Sequence, residues 1–524
     1  MKRRTFLQHT STAAVTLPLV LNGNKLSAFT QHALFKGMQQ DSDKVLVLIQ
    51  MNGGNDGLNM VLPLDQYSNL FLARENILIP ETSALKLTDK TGLHPAMSGL
   101  HQTYMNGQLA VFQGVGYPNQ NRSHFRSTDI WQSASGATEV INTGWLGRHF
   151  DDYAVGYPDG YPNAQYPDPF AITIGSTVNE TCQGNLSNYS LALTNPFGLS
   201  PLLEDDDTTS DPTQCYGKEI AFVRTSIAQT NAYSEVITAA AEQGANMVEY
   251  EADNNLAGQL KTIALLISGG LKTRVYIANI GGFDTHANQV NIGDTTTGGH
   301  ATLLNRLSEA ITLFQQDLTA QKLDQRVVGM TFSEFGRRIK SNGANGTDHG
   351  SAAPLFVFGS CVNSRIFGQN PTITDNVGDQ EGLAMQIDFR SIYGSLLNQW
   401  FGVPTADVKA LLNDAYSEIP LIRGCETKEY ELDPDYAEPV DSPFNNSPNP
   451  FTGSTQITFQ SAGERVHLSV MNSGGYTVSV LVDKYLEAGN YTVPFDASGL
   501  PRGNYFAYLR TPKRQQSLTM IMQR

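Results

Sequence analysis

Five short loops of this 524-residue chain carry side chains able to do chemistry. Residues 52–59 hold Asn55 and Asp56, and residues 116–127 hold Ser123, His124 and Arg126. Residues 281–289 hold Asp284 and His286, residues 333–338 hold Glu334 and Arg337, and residues 346–350 hold Asp348 and His349. Carboxylate and imidazole brought together bind a hard or borderline divalent cation. A hydroxyl beside such a cation loses its proton more readily and becomes a nucleophile. A free arginine at the same point clamps an anionic group through paired hydrogen bonds. Each loop also has an ordinary reading. Glycine, asparagine and aspartate at 53–57 suit a turn, Asp284 and Ser123 suit helix caps, and Arg337 and Arg338 suit a solvated surface. Position separates the two readings, because every loop adjoins a strand and one sheet edge can collect them all.

The strands are legible as apolar runs. Residues 44–50 are almost continuously apolar, as in a strand buried on both faces of a parallel sheet. Residues 109–113, 170–174, 274–280, 326–332 and 354–358 are similar. Helical patterns at 94–106, 255–271, 300–321 and 388–401 alternate with them. That order predicts a doubly wound, mostly parallel α/β sheet over residues 43–425, whose ligands lie beyond the carboxyl ends of the strands.

After an expected linker at 426–446, the composition shifts to Ser, Asn, Pro, Gly and β-branched residues. Alternating segments at 466–470, 477–482, 489–493 and 504–509 predict a small all-β sandwich over 447–524. At the other end, Lys2, Arg3 and Arg4 precede an apolar stretch at 13–21, the pattern of a signal peptide over residues 1–27. That stretch is too short to span a bilayer, which takes about 20 apolar residues, and no transmembrane segment is expected. A net charge of −15 excludes nucleic acid as a partner, since phosphate binding needs a basic face. The four cysteines show no CxxC spacing, so a thiolate zinc site is excluded. In an oxidising compartment Cys182 and Cys215, with an irregular segment between them, are the expected disulfide.

Both ends also resemble known sorting signals. Arg3-Arg4-Thr5-Phe6-Leu7 resembles the twin-arginine export motif. Pro448-Asn449-Pro450-Phe451, Gly474-Gly475-Tyr476-Thr477-Val478, Leu486-Glu487-Ala488-Gly489 and Leu500-Pro501-Arg502-Gly503-Asn504-Tyr505 resemble the C-terminal sorting domain of the type IX secretion system. These resemblances imply passage through the twin-arginine and type IX machineries, with the periplasm in transit and the cell surface or medium as destination.

Between them, residues 44–404 resemble the alkaline phosphatase and sulfatase superfamily, and within it a twin-arginine-exported family known only as a domain of unknown function. The resemblance implies metal-assisted hydrolysis of a phosphate or sulfate ester. Ser123 stands where the nucleophile opens a helix, and Asp56 (or Asn55) follows the first strand. Asp284 and His286 match the later Asp/His pair, Glu334 matches an aspartate position, and Asp348-His349 matches a late histidine. Residues 388–402 echo the family's final helix. One divalent cation would be held by Asp56 and Glu334 and a second by Asp284, His286 and His349, with Asp348 beside them. His124 joins Ser123 in the catalytic set, and Asn55, Arg126 and Arg337 would hold the anion. Zinc, manganese or calcium fits, as one ion or two, and the substrate class is a small anionic ester or a sulfated or phosphorylated glycan. Two departures stand out. Phe335 replaces a histidine ligand of the second metal position, and Asp284 and His286 are spaced Asp-x-His rather than Asp-x-x-x-His. The lost ligand at Phe335 favours the alternative, a non-catalytic surface binding protein on a degenerate hydrolase scaffold.

Overall fold

Val45–Met51 (β1) is buried along its whole length and lies in the middle of a nine-stranded sheet. The computed structural model describes residues 19–21, 24–26, 43–154, 156–199, 215–413, 415–425, 444–472, 477–511 and 515–523, and the chain divides into two units, residues 1–425 and 426–524. Most of the expected export segment and of the expected linker falls outside the described residues. In chain order the first unit continues with β2 (Leu109–Gly116), β3 (Ala171–Ile174), β4 (Ser190–Leu193), β5 (Val275–Ile280) and β6 (Val327–Phe332). Then come β7 (Arg337–Ser341), β8 (Thr347–His349), β9 (Ala353–Phe358), β10 (Ile366–Phe367) and β11 (Ile387–Asp388). The helices that matter here are α1 (Ser98–Met105), α2 (His124–Ser133), α3 (Trp145–Asp151), α4 (Cys215–Gln243), α5 (Asn255–Ser268), α6 (Gly299–Ala320) and α7 (Phe389–Ser395).

The sheet runs β10-β2-β9-β6-β1-β5-β3-β4, with β11 also on β2. Strands β6, β1, β5, β3 and β4 are mutually parallel, and β9 runs antiparallel between β6 and β2. The mostly parallel α/β sheet expected from the sequence is therefore what forms. The side-chain period of two sends alternate residues of β1 to opposite faces. Val45, Val47, Ile49 and Met51 enter one core, with Leu100 of α1 and the apolar faces of α5 and α6. Leu46 and Leu48 enter the other, with Trp131 of α2, Trp145 of α3 and Tyr393 of α7. Each fully buried Leu, Ile or Val contributes about 1.5–3 kcal/mol, so a polar substitution in β1 damages two layers at once.

The expected Cys182–Cys215 disulfide is not what the structure contains. Cys361 pairs with Cys425, and Cys182 is a buried free thiol. Proximity decides it: Arg423 N–H donates to the Cys361 carbonyl and Val362 bridges Ile422, so the unit's last residues lie along the loop after β9.

The second unit is a five-stranded antiparallel sheet of β12 (Asn445–Ser447), β13 (Ser454–Asn472), β14 (Thr477–Asp496), β15 (Gly503–Arg510) and β16 (Gln515–Met522). The runs at 466–470, 477–482 and 489–493 are parts of the two long strands β13 and β14, which pair along almost their full length, while the run at 504–509 is the separate strand β15. The Pro448–Phe451 motif explains itself here. Proline has no N–H to donate, and Asn449 substitutes with its side chain, accepting from Ile521 N–H and donating to the Thr519 carbonyl. Phe451 then bridges Met522, tying the start of the sheet to its last strand.

Two histidines buried in the first unit make its stability depend on pH. His94 and His300 are each 1% exposed, and burial first of all pushes their pKa values down, to about 3 and about 4. A histidine depressed below its unfolded value near 6.5 stabilises the fold above that pH, and the contribution is lost as pH falls toward the folded pKa. At pH 5 each should have forfeited about 2 kcal/mol. Urea unfolding in the presence of a chelator should show stability falling from pH 6.5 to pH 5; a flat profile over that interval would contradict this account.

Candidate functional site

The site is assembled at the carboxyl edge of the sheet because three strands end level. Met51 of β1 pairs with Ile280 of β5, and Phe332 of β6 with Gln50 of β1, so the loops that follow emerge side by side. After β6 the chain makes the β7–β8 hairpin instead of a helix, and this returns Asp348 and His349 to the same edge. Two glycines let the backbones close up. A Cβ on Gly53 would lie 2.3 Å from Asp284 N, and one on Gly54 would lie 2.2 Å from the Phe335 ring, both at positive φ.

Three imidazoles converge on one carboxylate oxygen. Nε2 of His286, His349 and His124 lies 3.1, 3.2 and 3.6 Å from Asp284 Oδ1. Nε2 of His286 and of His349 are 3.0 Å apart. Each ring is held by its other nitrogen: His124 Nδ1 is 2.7 Å from Glu334 Oε1, His286 Nδ1 is 3.0 Å from Asp348 Oδ1, and His349 Nδ1 is 2.9 Å from the Arg122 carbonyl. Carboxylates and carbonyls accept, so a neutral ring places its proton on Nδ1 and its lone pair on Nε2. Inward-facing lone pairs beside a carboxylate oxygen repel unless a proton or a cation lies among them. This arrangement, a ring nitrogen facing inward and an acceptor fixing the tautomer from behind, is that of metal-ligating histidines. The four side chains are 25–47% exposed, so the cluster is open to solvent.

Charges around the cluster keep it competent for a cation. Burial pushes the Asp284 carboxyl up, but Arg337, His286 and His349 outweigh it and hold it below its ordinary range. Burial likewise raises Asp348, while His286, Asn342 and the charge of Arg338 bring it lower overall. Burial lowers His349, favouring the neutral ligand form. Glu334 is buried and accepts from Gly53 N–H at 2.9 Å as well as from His124. Glu334→Gln should therefore weaken divalent-cation affinity by about 10- to 100-fold, because an unrestrained His124 no longer presents Nε2. Competition with a fluorescent chelator measures this directly, and unchanged affinity would rule out the orienting role.

The remaining expected site residues are placed elsewhere. Asp56, expected among the metal ligands, is buried against Arg74, whose Nη1 lies 2.9 Å from both carboxylate oxygens, and Gln289 donates to Oδ2 at 2.6 Å. Asn55 is consumed internally by His300 at 2.9 Å and by Met60 Sδ. Arg337, expected to clamp an anion, is buried and donates to Asp284 and to the carbonyls of Gly53, Gly54, Phe283 and Thr347. Arg126 turns toward the carbonyls of Gly136, Ala137 and Glu139. Ser123 is exposed at the N-cap of α2, and its hydroxyl makes no capping bond. Phe335, read from the sequence as the replacement of a histidine ligand, packs its ring 4.8 Å from His124 and 4.7 Å from His349. Arg74, Gln289 and the Arg122 carbonyl went unforeseen. Arg74 lies outside the five loops, Gln289 lies within one of them as an amide and not an ionisable group, and a carbonyl such as that of Arg122 leaves no trace in side-chain type.

The first unit is thus an α/β domain with a histidine–aspartate cluster at the carboxyl edge of a parallel-dominated sheet, and the second an antiparallel β-domain. Residues 43–411 match the family described as Protein of unknown function (DUF1501), and the chain belongs to it. Residues 447–523 match the secretion system C-terminal sorting domain, which marks the chain for type IX export. No curated protein matches the chain. Among solved structures it is similar to a protein in the alkaline phosphatase superfamily from Vibrio parahaemolyticus (8% identity, 100% of this chain and 91% of that one, TM-score 0.29). It is also similar to a 2-O GAG sulfatase (10% identity, 91% and 84%, TM-score 0.32). A third is the phosphonate monoester hydrolase of Silicibacter pomeroyi (10% identity, 92% and 89%, TM-score 0.28). Likenesses this remote transfer no chemistry to this chain. No helix among the described residues is long and apolar enough to cross a membrane.

Proposed function

We propose that this chain is an exported, metal-dependent hydrolase of phosphate or sulfate esters, with a single divalent cation held by His124, Asp284, His286 and His349. The observation that carries the reading is the set of three tautomer-fixed imidazoles directed at Asp284 Oδ1. Three nitrogens and one oxygen suit zinc, or manganese, better than calcium, which takes oxygen ligands. A bound cation supplies Lewis acidity toward an ester oxygen. Ser123 is the nucleophile candidate, next in sequence to His124 and uncommitted to capping. The first N–H groups of α2 favour an anion. Beside them lies a groove of about 380 Å³ lined by Asn52, Gly53, His124, Phe125, Thr128, Asp129 and Glu334. Arg126 and Arg337 are engaged elsewhere, so Asn52 and the α2 N-terminus take over the anion-facing role.

A second reading, a non-catalytic surface binding protein, draws support from one fact. Asp56 and Glu334, expected to hold another cation, are committed to Arg74 and His124. The test is metal analysis of the purified protein together with turnover of aryl phosphate and aryl sulfate. About one equivalent of metal, and turnover abolished by Ser123→Ala with metal retained, support the hydrolase. Metal without turnover supports the binding protein, and absence of metal overturns the hydrolase and leaves the binding protein. Export by the twin-arginine route and display at the cell surface belong to the same proposal.

A further inference from the structure

A second concavity, of about 660 Å³, opens at the carboxyl ends of β1, β5 and β3 and is closed on one side by the first turns of α5. Its chemistry differs from that of the imidazole cluster. Side-chain amides and hydroxyls make up most of the lining, Glu180 is the one charged lining residue, and no arginine, lysine or aromatic side chain contributes. The amides of Asn52, Gln132, Asn255 and Asn279 all border it. None of these four side chains has a hydrogen-bond partner among the described residues, so their donors and acceptors are available to a ligand.

Two placements argue that the cavity is built. Asn279 occupies the single exposed position of β5, whose other residues are all buried. Asparagine is depleted from central strands, and here it stands where the strand meets the cleft. Gly258 lies within α5, where glycine is the least favourable ordinary residue. A Cβ there would meet no atom within 4 Å, so the missing side chain leaves room in the cleft.

Neutral amides each offer two donors and an acceptor, matching hydroxyl groups that both donate and accept. An anion would find no cationic partner and would be repelled by Glu180. An apolar ligand would strand the amides without partners. Asn52 borders both this cleft and the groove beside His124, so the two adjoin. In that groove Phe125 is 87% exposed and offers a flat apolar face to a sugar ring. We propose that the amide-lined cleft binds the uncharged saccharide part of a glycan whose anionic ester group reaches the imidazole cluster. The second half of that statement rests on the hydrolase reading; the first does not.

The test is a glycan array of neutral and sulfated oligosaccharides, with unmodified peptides alongside, probed with full-length protein before and after metal removal by EDTA. Wild type is expected to bind oligosaccharides in both states. The Gln132→Ala/Asn279→Ala double variant should lose at least tenfold of that binding, and so should Gly258→Phe, which fills the cleft without removing a polar group. Both should keep wild-type metal content and far-UV circular dichroism. Absence of glycan binding, variants that bind as wild type does, or binding of peptides in place of sugars overturns the proposal. Glycan binding by a protein that takes up no metal sinks the hydrolase reading alone.

Discussion

Asp284→Ala lowers the affinity of this protein for a divalent cation by about 100-fold or more. Among the described residues the side chain is the only carboxylate that all three inward-facing imidazole nitrogens approach, at 3.1–3.6 Å. Without it the cluster consists of three imidazoles and no carboxylate beside Arg337, whose positive charge repels a cation. The fold should survive, because Arg337 keeps its four backbone carbonyl acceptors and Asp284 itself is about half exposed. Isothermal titration with zinc, beside urea unfolding of the metal-free protein, separates the two effects. Stoichiometric zinc uptake by the variant at wild-type affinity would falsify the site as described. The conservative variant Asp284→Asn retains an acceptor for Arg337 but no charge, and should lose metal almost as completely.

The second large effect falls on stability. Asp56→Ala should destabilise the first unit by about 3–5 kcal/mol, the usual consequence of removing one partner of a buried ion pair. Arg74 is 1% exposed and reaches, besides Asp56, the carbonyls of Ile339 and Arg338 at 2.7 Å each. Those carbonyls belong to β7, so the pair fastens the loop after β1 to the hairpin that carries His349. Burial raises the Asp56 carboxyl, yet Arg74, His300 and Gln289 together hold it below its ordinary range. The double variant Asp56→Leu/Arg74→Met removes both charges and should recover part of the loss. If Asp56 were a metal ligand instead, Asp56→Ala would lose metal while the stability of the chelator-treated protein stayed unchanged. Urea midpoints measured with and without EDTA decide between the two roles.

Much of the architecture follows from local pattern. The strand at 45–51 is apolar without interruption because both its faces are covered, and only a layered α/β sheet covers both faces of a parallel strand. The polar loops after β1, β5 and β6 were recognisable because chemistry-bearing residues sit beside the glycines that let backbones approach. Helix α7 was less legible. Its run continues as a π-helical turn at Leu396–Trp400, which hydrophobic periodicity does not distinguish from α-helix. The tail's short runs gave no sign of joining into strands of 19 and 20 residues, since length depends on the partner strand.

Side-chain partnership was the part that local pattern could not carry. Asp56 and Asp284 are both aspartates in glycine-rich loops, and the sequence presents them as equals. One meets a buried arginine contributed by residue 74 and becomes structural; the other meets three histidines drawn from three separate loops. Likewise Arg337 reads as a free cation and is held by five acceptors, and Cys361 finds Cys425 across 64 residues. The sequence by itself determined which elements form, which faces they bury and which loops hold reactive groups, because those depend on spacing along the chain. Only the tertiary structure decided which charges neutralise one another and which converge on open space, because that depends on distances between residues hundreds of positions apart.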